Sequence, residues 1–353
     1  MKILRTECWP VEMKLTEPYT IAYETVDRCT NLFIRCETDA GLIGLGCAAP
    51  DKAVTNETPE SVMQDYRSYI EPALRNCDPF RYEFILEKLK NNLPESPSSE
   101  AMVDMMLFDL VAKQANVPLY KYLGGYRESI STSITIGIMP VEKTVKKAEE
   151  YVGRGFHILK IKGGVNLEED IEKILKLREK VGKKVQIRFD ANQGYTPEQA
   201  IYFVEATRAA NLELIEQPTP RENLESLGKV SRHVHIPVMA DESLMNLRDV
   251  FRLIRKDLTD MVNIKLMKVG GVSEALYINS VARAAGVEAM IGCMDESALA
   301  ISAGLHVALS RPNIAYADLD GHLELIGDPA AAAVILKDGI LYPTGKPGLG
   351  FSF

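Results

Sequence analysis

Five charged residues close five short apolar runs at intervals of about 25 residues: Lys162, Asp190, Glu216, Asp241 and Lys265. The runs read FHILKIKGG, VQIRFDANQ, LELIEQP, IPVMADES and MVNIKLMKVGG. Three carboxylates between two lysines have a defined chemistry. Hard oxygen donors with no His or Cys among them suit an octahedral cation such as Mg²⁺, with Mn²⁺ as a substitute, that keeps positions open for water and substrate. A substrate carboxylate held there would have its α-carbon between the lysines. Removing the α-proton builds an enediolate dianion, whose charge the cation and nearby ammonium groups must stabilise. A lysine base must also be neutral near pH 7, a form that the cation and the second ammonium of Lys160 would favour. If one lysine removes the proton from one face and the other returns it on the opposite face, the stereocentre inverts. Racemisation or epimerisation is the simplest reaction of this layout.

Positioning these groups requires a particular scaffold. The runs are too short for helices of this composition and are rich in Ile, Val, Leu and Phe. Amphipathic stretches such as LEEDIEKILKLREKVGKK and TPEQAIYFVEATRAAN lie between them. Alternating strands and helices of this unit length predict a (β/α) barrel, which carries its chemistry at the C-terminal strand ends. SISTSITIGI before the five runs, and VEAMIGCMDES and NIAYADLDG after them, bring the count of candidate strands to eight. Lys162 and Lys265, ending strands two and six, then face each other across the mouth. Lys160 shares a strand face with Lys162 through its i, i+2 spacing. Asn192 and Glu242 are candidates to orient the metal ligands. Thr135, ending strand one, is a substrate contact or a barrel filler. Lys268 is assigned to the loop after strand six, outside the site. His233 and His235 fall at the entry of strand five, the wrong end for catalysis, and read as surface residues. The pairs Gly163-Gly164 and Gly270-Gly271 are weak as phosphate cradles without a longer motif.

The chain has 353 residues, 46% hydrophobic and 25% charged, enough for a barrel of about 250 residues and roughly 100 more. Residues 1–125 read as an α+β capping domain: alternating strands to about 50 with a turn at D-A-G, then helices from about 59 to 122. Its loops near 18–28 and 47–56 would overhang the barrel mouth. Residues 126–321 form the barrel, and 322–353 return to the first domain. In the helix beginning near SSEAMVDMML, a serine is the cap candidate. A formal charge of −8 without a basic block argues against nucleic acid or an anionic membrane as partner. No signal-peptide or membrane-spanning stretch is evident, so a cytoplasmic location is expected. The six cysteines show neither C-x-x-C nor zinc spacing and read as reduced thiols.

K160-I-K162, F-D190-A-N192-Q, I-E216-Q-P, A-D241-E-S and N-I-K265-L, in this order, resemble the muconate-lactonising subgroup of the enolase superfamily over nearly the whole chain. The resemblance implies a modified TIM barrel, (β/α)7β, whose capping domain supplies specificity loops. It also implies one Mg²⁺ per subunit on Asp190, Glu216 and Asp241, lysine bases at 162 and 265, and a homo-oligomer. D318-L-D320 resembles the dipeptide epimerases, where two such aspartates hold the α-ammonium of the dipeptide. Where the Ala-Glu epimerases carry an arginine for the glutamate side chain, this chain has Glu24. Asp295 after strand seven and Asp51 on the second loop add two more acids. Together they imply a dipeptide epimerase preferring a cationic C-terminal residue. The alternatives are Ala-Glu or hydrophobic dipeptides, N-acylamino acid racemisation, o-succinylbenzoate synthesis and muconate cycloisomerisation. A substrate without an α-ammonium would leave the D-x-D pair unmatched.

Overall fold

Eight parallel strands follow one another around a nearly closed ring: Ile134–Ile136, Ile158–Lys162, Gln186–Asp190, Leu214–Glu216, Val238–Ala240, Met261–Lys265, Glu288–Gly292 and Ile314–Asp318. The structure, a computed structural model, describes residues 1–21, 25–93 and 95–353. Glu24, which the sequence assigns to the substrate pocket, lies outside them. Ser133 N donates to Ala317 O at 3.2 Å, linking the entry of the first strand to the eighth. Each of the first seven strands is followed by a helix, and the eighth by a turn, which makes the barrel (β/α)7β.

The register brings the charged ends level. Lys162 pairs with Asp190 and Asp190 with Glu216, while Lys265 pairs with Gly292 and Gly292 with Asp318. Period-two alternation then sorts the interior by height. Two residues below Glu216, Asp241 and Asn263 stand Leu214, Met239 and Met261, which pack with Met290 and Tyr316 into an apolar floor. Arg188, two residues below Asp190, is buried in the same layer, pairs with Glu213 at 2.5 Å and lies over the Tyr316 ring. Burying each of these Met and Leu side chains contributes roughly 1.5–3 kcal/mol. The floor closes the barrel below and leaves its polar layer facing the mouth.

Strands Ile3–Thr20, Thr25–Thr38 and Ile43–Ala48 form an antiparallel sheet, joined on its outer edge by Leu325–Ile326 from the far end of the chain. The D-A-G turn forms with Gly41 at φ +74°, a conformation that glycine adopts without strain. Helix Pro97–Gln114 packs on this sheet. The expected serine cap does not form. The helix starts at Pro97, and the backbone N–H groups of Ser98 and Ser99 donate instead to the Glu57 carboxylate at 2.9 and 3.1 Å. A carboxylate that accepts both bonds at a helix N-terminus also meets the positive end of its dipole. Asp109 ties the chain end to this region, accepting from Leu45 N, Lys113 Nζ and Leu349 N. All six cysteines are free thiols. Among the described residues no helix is long and apolar enough to cross a membrane.

Candidate active site

Above the floor, Asp190, Glu216 and Asp241 each present a carboxylate oxygen within 4.8 Å of the other two. Asp190 and Glu216 are the last residues of their strands, whereas Asp241 is the first residue beyond Val238–Ala240. Gln217 fixes that step. Buried in a left-handed conformation (φ +32°), it accepts from Asp241 N at 2.9 Å and Ser243 N at 3.0 Å, and donates to Thr219 O and Ser243 Oγ.

Cations surround the triad. Lys160 Nζ lies 2.8 Å from Asp318 Oδ2, 2.9 Å from Glu216 Oε2 and 3.0 Å from Asp190 Oδ2. Burial disfavours its charge, but the three carboxylates outweigh burial and hold its pKa well above the usual lysine value. Lys162 contacts Asp190 Oδ2 at 2.8 Å, and Lys265 contacts Asp241 Oδ2 at 2.9 Å. Burial also lowers the Lys265 pKa and Lys160 repels its charge, yet Asp241 raises it well above normal. Lys160 does push Lys265 toward the neutral form, as expected of a second ammonium, but Asp241 opposes it more strongly.

Lys268 is in the site, contrary to the sequence reading. It lies on the short helix Leu266–Val269, is fully buried, and donates to Asp241 Oδ1 and to Asp241 O. Burial lowers its pKa, with Asp241 opposing. Asn263 Nδ2 holds Glu216 Oε1 at 2.8 Å, and Asn192 N holds Asp190 Oδ1 at 2.9 Å. Glu242 Oε1 accepts from Asn192 Nδ2 and Gln193 Nε2, both at 3.3 Å. Burial, Asp241 and Asp190 push Glu242 up to about 7.

The glycine pair after Lys162 serves close packing. A Cβ on Gly164 would lie 2.0 Å from Ala191 O, so only glycine lets this loop pass the one after Asp190. Asp170 accepts from Gly164 N and Tyr195 Oη and fixes the approach.

These groups open into a cleft bounded by the barrel mouth, by the end of the first sheet strand and by the loop after the third. Thr135, Asp51, Asp295, Asp318 and Asp320 all line it. Asp318 is committed to Lys160 and to Ser133 Oγ at 2.6 Å; burial would raise its pKa, but Lys160 brings it to about 2. Asp320 accepts from Thr135 N at 2.6 Å and is raised to about 6 by burial and by Asp318. Across the cleft, Asp295 accepts from Tyr19 Oη at 2.9 and 3.1 Å, and burial raises it to about 6. Asp51 Oδ1 accepts from Ala53 N and Val54 N within its own loop. His233 and His235 are exposed on the surface, as expected.

The arrangement is that of a barrel enzyme whose three converging carboxylates could hold a divalent cation between lysines. The donor set fits Mg²⁺: all ligand atoms are oxygens, they converge, and buried Glu216 Oε2 has no hydrogen bond beyond its 2.9 Å ion pair with Lys160. Residues 143–353 match the enolase C-terminal domain-like family, and residues 4–124 match the mandelate racemase/muconate lactonizing enzyme N-terminal domain. The chain belongs to this enolase-superfamily group. It is 41% identical to an L-Lys-D/L-Arg epimerase of Desulforapulum autotrophicum, over 99% of both chains. It is 38% identical to a hydrophobic dipeptide epimerase of Enterococcus faecalis, over 100% of both. The structure of a Methylococcus capsulatus dipeptide epimerase complexed with Mg and L-Arg-D-Lys covers 100% of both chains at 36% identity, with a TM-score of 0.95. These relatives are isomerases of amino acid derivatives.

Proposed function

We propose that this protein is a Mg²⁺-dependent dipeptide epimerase that inverts the α-carbon of the C-terminal residue and prefers Lys or Arg at that position. The observation that carries the reading is the shared cleft. Its walls bring together Asp241 of the carboxylate triad, Lys162 and Lys265 from strands four apart in the ring, and the acids Asp295 and Asp320. Asp190, Glu216 and Asp241 would hold the cation, which when bound supplies positive charge to the substrate carboxylate. Mn²⁺ is expected to support the same chemistry.

Lys162 and Lys265 approach the α-carbon from opposite sides, one taking the proton and the other delivering it. Asp320, with Asp318 behind it, receives the α-ammonium. Asp295 and Asp51 receive the C-terminal side chain. Two nearby cations are engaged elsewhere: Arg28 with Asp27 at 3.1 Å and Lys52 with Asn56 at 2.6 Å. A cationic side chain thus meets carboxylates, and an acidic one meets repulsion. The named Lys/Arg epimerases among the relatives support this preference, whereas the hydrophobic dipeptide epimerase is the competing precedent.

The test is α-deuterium incorporation in deuterated water with Mg²⁺. L-Ala-L-Lys and L-Ala-L-Arg are expected to label faster than L-Ala-L-Glu and L-Ala-L-Leu. Faster labelling of the Glu or Leu peptide would remove the cationic reading but keep the chemistry. No label in any dipeptide would redirect the search to N-acylamino acids. The preference should also depend on pH. With Asp295 near 6 its carboxylate is ionised at pH 8 and largely neutral at pH 5, so selectivity for Lys over Leu should decline as pH falls through about 6.

Lys268 gives a separate expectation. Its ammonium holds Asp241 Oδ1, while Oδ2 meets Lys265 at 2.9 Å. Lys268→Met should weaken Mg²⁺ binding about 10–100-fold by titration calorimetry, the range found for partners that orient metal ligands. Unchanged affinity would reduce Lys268 to a packing role.

A further inference from the structure

Asp295 is held in the cleft from outside the barrel. Its carboxylate accepts from Tyr19 on the first strand of the N-terminal sheet, and its backbone is held from the second strand by Asn31. Asn31 Nδ2 donates to Asp295 O at 3.0 Å, and Asn31 Oδ1 accepts from Ser297 N at 2.7 Å. One buried amide, 1% exposed, thus bonds both ends of the tripeptide Asp295–Glu296–Ser297, as a neighbouring strand would. The thiols of Cys29 and Cys47 complete its surroundings, at 3.6 and 3.7 Å. On the far side of the tripeptide, Asp328 accepts from Ser297 Oγ and Ala298 N, both at 2.7 Å, so the loop is fixed there too.

We infer that Asn31 is a positioning residue for substrate selectivity: by clamping the Asp295–Ser297 loop to the N-terminal sheet, it sets where the Asp295 carboxylate meets the C-terminal side chain of the substrate. This rests on the reading of Asp295 as the acceptor of that side chain. Both donor and acceptor of the amide are used, so the two bonds specify Asn over any apolar residue of its size, and a buried site makes their loss costly. Asn31 touches neither the lysines nor the carboxylate triad, so its influence should fall on discrimination between side chains more than on proton transfer.

Asn31→Asp keeps the shape but turns an oxygen toward Asp295 O, and Asn31→Ala removes both bonds. In each variant kcat/KM for L-Ala-L-Lys is expected to fall about tenfold further than that for L-Ala-L-Ala, with the difference carried mainly by KM. Hydrogen exchange of the 293–299 segment in the wild-type protein supplies a measurement that needs no variant. Protection of the Ser297 amide before substrate is added supports a preformed clamp. Rapid exchange until a dipeptide binds would overturn it, as would an unchanged Lys-to-Ala ratio in both variants. A wild-type enzyme that disfavours L-Ala-L-Lys would refute the cationic reading of Asp295 instead. The clamp would then stand or fall on whether the variants shift the C-terminal preference that is found.

Discussion

Lys162→Ala and Lys265→Ala are each expected to lower the rate of inversion by about 10³-fold or more, within the range spanned by loss of a positioned acid or base. The isotope pattern should distinguish them further. With one lysine left, a proton can still be removed and returned on that lysine's own face, so exchange with deuterated water survives for one enantiomer of the reacting residue and is lost for the other. The two variants should retain opposite enantiomers. This follows from their positions on the second and sixth of eight strands, each at a barrel end and both lining one cleft. Inversion at the wild-type rate in either variant would remove that lysine from the mechanism. Retention of the same enantiomer by both would place the two lysines on one face.

Lys160→Met should act on the folded protein before any substrate is present. Its ammonium, with 2% of its side chain exposed, is shared among Asp190, Glu216 and Asp318, all three buried. Removing one partner of a buried charge cluster leaves the others uncompensated, a cost of about 3–5 kcal/mol. The pH dependence has a definite sign. Burial would raise Asp318, and Lys160 depresses it from 3.8 to about 2. A depressed carboxyl contributes stability that is present above the unfolded value near 3.8 and is lost as pH falls toward 2. The gap between wild type and variant in metal-free urea unfolding should therefore be wide at pH 7 and narrow between about pH 4 and 2. Added Mg²⁺, by taking up the same carboxylates, should recover part of the loss at pH 7. Equal unfolding midpoints at pH 7 without metal would mean that Lys160 does not compensate these acids.

The layout of the candidate site was legible in the sequence because a barrel strand has a rigid period of two and a charged residue closing an apolar run marks its mouth end. Lys160, Lys162, Asp190, Glu216, Asp241 and Lys265 needed nothing beyond that rule to be grouped, and strand order placed the lysines opposite each other. Three features escaped it for different reasons. Lys268 looked like a loop residue because the helix Leu266–Val269 that brings it to Asp241 is a single turn, too short to show a helical period in the sequence. The serine cap of helix Pro97–Gln114 was displaced by Glu57, some 40 residues earlier, because a buried carboxylate with two N–H donors is a stronger partner than a hydroxyl. Gln217 sat inside the recognised I-E-Q-P run, yet its role appears only when Asp241 and Ser243 are folded against it.

By itself the sequence determined the barrel, the residues at its mouth and the kind of cation they suit, since these follow from local period and side-chain type. Only the tertiary structure decided how the charges are shared and what surrounds the substrate. Lys160 is spent on three acids, Asp318 is committed to Lys160, and Asp295 is held by Tyr19 and Asn31 from a different sheet. The physical reason is that pKa and position in a buried site depend on partners within a few ångströms, and those partners come from chain segments up to hundreds of residues apart.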